Sequence, residues 1–186
     1  LLMKIRFFHF ASLILIFLFS FIAFAKEDFS CHSTKWAHEI SDLTPDPDVH
    51  YGRLQNGFRY VLMKSSTPKN RVQINLNVQS GSLNEKDNQR GVAHLLEHMV
   101  FNGSTNFKPG EIKEYFNDLG MEFGRDANAY TSFNATVYEL FLPQGDLETI
   151  KKGLLVMQDY AYGAFLNDEE IISERKVVLM EKIDRD

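Results

Sequence analysis

The chain has 186 residues, 44% of them apolar, which is enough for one domain with its own core. With 24% charged residues, the composition is not that of a disordered chain. A net charge of −5 with no Lys/Arg run or basic stripe argues against a nucleic-acid partner.

The first predicted element, over residues 1–25, is a signal for export. Lys4 and Arg6 make a short basic start, Phe10 to Phe24 is almost continuously apolar, and Ala23-Phe24-Ala25 has the small-x-small pattern that signal peptidase reads. The same stretch, from Phe7 to Ala25, is just long enough to span a bilayer, so an uncleaved anchor is the alternative. The expected location is therefore exported, periplasmic or secreted, with membrane attachment only if the signal is retained. Cys31 is the single cysteine, so no internal disulfide is expected and the fold relies on its core. Residues 26–50 read as an irregular leader, since Pro45 and Pro47 break any helix there. His32, His38 and His50 lie in it without ligand spacing.

From Tyr51 to residue 186 the pattern is that of a folded domain. Asn56-Gly57, between Tyr51–Leu54 and Phe58–Met63, predicts a hairpin in which both turn residues tolerate positive φ. Pro68-Lys69-Asn70 makes the next turn. Val72, Ile74, Leu76 and Val78 then alternate with Gln73, Asn75, Asn77 and Gln79, a strand with one buried face. After a polar loop, a helix is expected from about Gly91 to Phe101, stopping near Asn102-Gly103. Its leucines, Met99, Val100 and Phe101 make it apolar over most of its circumference, which predicts burial. Pro109-Gly110 opens a second helix, with Ile112, Tyr115, Phe116 and Leu119 at helical spacing and Gly120 at its end. A strand is expected at Met121–Phe123, an extended segment at Asn128–Phe133 and a strand from Ala135 to Leu142. Asp146 is expected to cap a helix running to about Gly163, and Asp168 to cap a last one. This irregular alternation predicts an α+β fold, with an antiparallel or mixed sheet packed with helices. The sequence ends in a helix, and we read it as the N-terminal portion of a longer domain.

The stretch His94-Leu95-Leu96-Glu97-His98 carries the chemistry. Residues four apart lie on one helix face, so both imidazoles can reach one tetrahedral ion. Glu97 falls on that same face, where a carboxylate beside a metal-held water suits a general base. Neutral imidazole suits zinc, and the order, with the glutamate before the second histidine, is the inverted zinc-peptidase motif. Zinc needs a third protein ligand. On the last helix Glu170, Glu174 and Glu181 share one stripe set among Ile171, Ile172, Val177, Val178 and Leu179. Spacing alone does not choose between Glu174 and Glu181.

From Tyr51 onward the chain resembles the insulinase–pitrilysin family, which includes the mitochondrial processing peptidases, and within it the exported bacterial branch. The resemblance rests on Gly81-Ser82-Leu83-Asn84-Glu85, the run from Gly91 through His94, Glu97 and His98 to Ser104, Asn128-Ala129-Tyr130-Thr131-Ser132, and Ser173-Glu174-Arg175 through Glu181. It implies an insulinase-type metallopeptidase domain in which His94, His98 and Glu181 bind one Zn2+ and Glu97 activates the water. Glu174 would support the site without binding zinc. Asn128, Ala129 and Tyr130 would contact substrate, with residues 129–132 as the edge that pairs with an extended peptide. It also implies a second, homologous half, in the same chain or in a partner subunit. The function so implied is a zinc-dependent endopeptidase acting on peptides or unfolded polypeptides. The alternative is a non-catalytic member serving as a peptide-binding or structural subunit.

Overall fold

The computed structural model describes residues 35–185. The expected export signal, Cys31, His32 and the first part of the expected leader lie outside the described residues. The chain divides into two compact units, the first ending at Lys64 and the second beginning at Ser65.

In the first unit, strands β1 (Val49–Arg53) and β2 (Arg59–Met63) pair antiparallel, with Tyr51 opposite Val61. The hairpin forms, but its turn differs from the two-residue form expected. Only Gly57 takes positive φ, at 88°. The Leu54 amide donates to the Phe58 carbonyl at 2.8 Å, and the Gly57 amide to the Leu54 carbonyl at 2.9 Å. These bonds close a three-residue loop, a turn followed by one left-handed residue. Asn56 contributes its side chain instead, its Oδ1 accepting the Phe58 amide at 3.0 Å. Before the hairpin, Trp36 sits edge-on to Tyr51 and beneath the guanidinium of Arg59.

The second unit is built on a three-stranded antiparallel sheet in the order β3 (Val72–Val78), β5 (Thr136–Leu142), β4 (Ala127–Thr131). The period-two pattern of β3 sets Ile74 and Leu76 on the core face, in line with Leu140 and Tyr138 of β5. Val78 remains exposed at the strand end. Four helices follow the pattern of the sequence: α1 (Val92–Met99), α2 (Glu111–Asp118), α3 (Leu147–Tyr162) and α4 (Asp168–Arg185). Helix α3 lies on β3 and β5, and α1 lies against β4, β5 and α4. Ile112 and Phe116 of α2, Val156 and Tyr160 of α3, and Leu140 and Leu142 of β5 fill the core between them. Asp146 caps α3 as expected: its Oδ1 accepts the amides of Glu148 and Thr149, each at 3.0 Å.

Three local expectations are corrected. Met121–Phe123 is not a strand. The Glu122 carbonyl gathers the amides of Arg125, Asp126 and Ala127 into a tight turn, which leaves Phe123 a single bridge to Ala127. Asp168 lies inside the first turn of α4, and the Asn167 carbonyl accepts the first helical amide, from Ile171, at 2.9 Å. Helix α1 is not buried all round. Val92 and Leu96 are 53% and 44% exposed, whereas Met99 and Val100 are about 1% exposed, because the sheet and α4 cover only part of its circumference. Among the described residues, no helix is long and apolar enough to cross a membrane.

Candidate metal centre

Helix α1 is fixed at its start by a residue from the preceding loop. Glu85 accepts the Gly91 amide on Oε2 at 2.8 Å and the Ala93 amide on Oε1 at 2.7 Å. Two of the unpaired amides at the helix start are thereby satisfied by a negative charge, which the helix dipole also favours. The helix then projects His94 and His98 from one face. Their rings stand 4.8 Å apart and nearly perpendicular, with the two Nε2 atoms 3.3 Å apart.

Helix α4 runs past this face and presents Glu174 and Glu181, two turns apart. Glu181 faces both imidazoles, with Oε2 3.6 Å from His94 Nε2 and Oε1 3.6 Å from His98 Nε2. One donor atom from each of His94, His98 and Glu181 falls within 4.8 Å of the others. For tetrahedral zinc with bonds of about 2.0–2.1 Å, ligand atoms should lie about 3.3–3.4 Å apart. The two imidazole nitrogens meet that spacing at 3.3 Å, and Glu181 approaches each of them at 3.6 Å through a different oxygen.

Glu174 makes a different contact. Its Oε2 lies 3.2 Å from His98 Nδ1, and its Oε1 accepts the Asn102 side-chain amide at 3.0 Å. A carboxylate at Nδ1 holds the proton on that nitrogen and leaves Nε2 as a bare lone pair. Nε2 of His98 then faces His94 Nε2 and the Glu181 carboxylate, so two imidazoles and a carboxylate turn donor atoms toward one point. Two neutral imidazoles and one carboxylate are the donor set of a zinc site with an open fourth position, and the residues present fit zinc.

Glu97 stands outside this donor cluster. It is 8% exposed, and its Oε2 accepts a hydrogen bond from the Thr131 hydroxyl on β4. Tyr138 of β5, opposite Ala129, feels the same charge. Burial first, and Glu97 second, push its hydroxyl up to about 12.

Strand β4 is an edge of the sheet, with β5 its sole sheet neighbour among the described residues. The Phe141 amide donates to the Asp126 carbonyl at 2.7 Å, and the Ser132 amide to the Ala135 carbonyl at 2.8 Å. Continuing that alternation, the even-numbered residues of β4 bond to β5, and the odd-numbered ones turn their amides and carbonyls to the open edge. The Ala127 carbonyl is already taken by the Gly124 amide, at 2.8 Å, which leaves Ala129 and Thr131 with outward backbone groups. The side chains of Asn128 and Tyr130 lie on the sheet face opposite Thr131, and both residues are exposed. Of the three residues expected to contact substrate, Ala129 thus has its backbone at the edge, whereas Asn128 and Tyr130 extend from the other face.

Three contributors escaped the sequence reading in these roles. Asn102 is four residues beyond His98, so helical arithmetic alone could have set it beside that ring. Thr131 shares its strand face with Ala129, but its contact with Glu97 joins distant parts of the chain. Glu85 caps α1 from outside the spacing of any local capping pattern, and no local signal marks it.

A model of the insulinase family (peptidase family M16) matches residues 60–185. The chain is 37% identical over 139 residues to the "Probable zinc protease PqqL" of Escherichia coli, covering 75% of this chain and 15% of that protein. It is 38% identical over 138 residues to the protein of the same name from Haemophilus influenzae, covering 74% and 15%. The crystal structure of the first half of the periplasmic protease PqqL from Escherichia coli is similar with a TM-score of 0.73 at 36% identity, covering 76% of this chain and 30% of that one. The chain therefore spans about 15% of the length of these curated relatives.

Proposed function

The chain belongs to the insulinase family of peptidases, and from that premise we propose that it is the metal-holding part of an exported zinc-dependent endopeptidase that hydrolyses peptides or unfolded polypeptides. The observation that carries this reading is the convergence of donor atoms from His94, His98 and Glu181. These three would hold one Zn2+, and Glu174 would keep His98 in the tautomer that ligates. Bound there, the ion would acidify a water and polarise the carbonyl of the scissile bond. Glu97 takes the proton of the attacking water and returns it to the departing amine. Ala129 and Thr131 offer their backbone amides and carbonyls to an extended peptide, which would dock as an added strand beside β4. Asn128 and Tyr130 would touch that peptide from the sheet face opposite Glu97. A second, homologous half, in the same polypeptide or in a partner, would complete the peptidase, as the match to one half of a larger periplasmic protease supports. Export through residues 1–25, to the periplasm or beyond, accords with that relative's location.

The test is metal analysis and cleavage of an unfolded polypeptide by the complete protein and its Glu97→Gln form. We expect one zinc per chain in both, cleavage by the wild type alone, and loss of that cleavage with chelator. Zinc-free protein, or a Glu97→Gln form that still cleaves, would overturn the reading.

A further inference from the structure

Thr131 meets both sides of this site. Its backbone is at an outward-facing position of β4, where a peptide strand would pair, and its side chain holds Glu97. The direction of that hydrogen bond is fixed by its neighbours. Thr131 Oγ1 lies 3.5 Å from Thr136 Oγ1, directly opposite on β5, but the Thr136 hydroxyl donates to the Ser80 carbonyl at 3.0 Å. Ionised Glu97 has only acceptors. The Thr131 proton therefore goes to Glu97 Oε2.

Resting on the assignment of Glu97 as the base, we infer that Thr131 is a positioning residue that ties the general base to the peptide-docking edge. One strand position fixes where the peptide backbone lies and where the carboxylate points, so the two are registered to each other. The hydroxyl is what matters, since the backbone contacts survive any side chain that keeps the strand.

The experiment compares Thr131→Val, Thr131→Ser and Glu97→Gln in the complete protein, with zinc content and thermal midpoint measured for each. Thr131→Val keeps the branched shape and removes the hydroxyl. We expect kcat to fall about 10- to 100-fold, the rate equivalent of one hydrogen bond to a charged group, with KM within about twofold and zinc content unchanged. Thr131→Ser should recover most of kcat. A Thr131→Val form with wild-type kcat, or a serine form as impaired as the valine form, would overturn the inference. The glutamine form separates the two ideas: if it still cleaves, the assignment of the base fails. If it is inactive while Thr131→Val is fully active, the role of Thr131 alone fails.

Discussion

Removing the carboxylate of Glu85 should loosen the helix that carries both histidines. Helix α1 has eight residues, too few to persist without its anchors. Its first amides are held by two contacts of 2.8 and 2.7 Å, within the range of charge-assisted bonds. Each such bond contributes about 1.5–3 kcal/mol where water is excluded. Glu85 is partly exposed, so water recovers some of that when the side chain is cut back, leaving about 1 kcal/mol per contact. The interaction of the negative charge with the helix dipole adds about 0.3–1 kcal/mol. Glu85→Ala should therefore destabilise the second unit by about 2–3 kcal/mol, and Glu85→Gln, which keeps one acceptor without the charge, by about half as much. Urea unfolding followed by circular dichroism gives the total. Amide hydrogen exchange over residues 95–99 localises it to α1. An alanine form within about 0.5 kcal/mol of wild type would refute the reasoning, as would a glutamine form as unstable as the alanine form.

Gly81 has φ −153, open to any residue, but a Cβ there would lie 2.3 Å from the Ser132 carbonyl oxygen and 2.9 Å from the Ala135 nitrogen. Gly81→Ala should break the Ser82 and Leu83 amide bonds to the 132–133 backbone and lower stability by about 2–3 kcal/mol, which an unchanged urea midpoint would contradict. Asp159 is 1% exposed and accepts from the Ser104 hydroxyl and from the backbone and side-chain amides of Asn106. Asp159→Asn sets a donor against donors and should cost about 2–4 kcal/mol in the same assay. Tyr138 ionises near 12 in the folded chain and near 10 when unfolded, so its contribution is complete below pH 10 and is lost as pH rises from 10 through about 12. Tyr138→Phe should abolish that share, about 3 kcal/mol, so stability measured between pH 9 and 12 should fall less steeply in the variant. Parallel curves would contradict the assignment.

What was legible in the sequence is what local pattern encodes. The alternation at Val72–Val78, the helical spacing around Ile112 and Phe116, and the cap at Asp146 each depend on neighbours a few residues away, and each reappears in the fold. Met121–Phe123 misled because three residues carry too little period to reveal the turn at Gly124–Asp126. The exposure of Leu96 misled for another reason: an apolar circumference does not say which neighbours cover it. The pairing of His94 with His98 follows from helix geometry, but the division of labour between Glu174 and Glu181 does not. The two glutamates share a stripe about 10 Å long, and only the way α4 lies along α1 sends one to Nδ1 of His98 and the other to Nε2. The contacts of Thr131 and Glu85 lie beyond local pattern for the same reason.

The donors of the candidate centre belong to the first and the last of the four helices of the second unit. A cation gripped by His94, His98 and Glu181 would thus act as a reversible crosslink, closing a loop that contains α2, α3 and the whole of β4 and β5. Its release would free α4 from α1, so the same ion that prepares the chemistry would also set how firmly that helix is tethered.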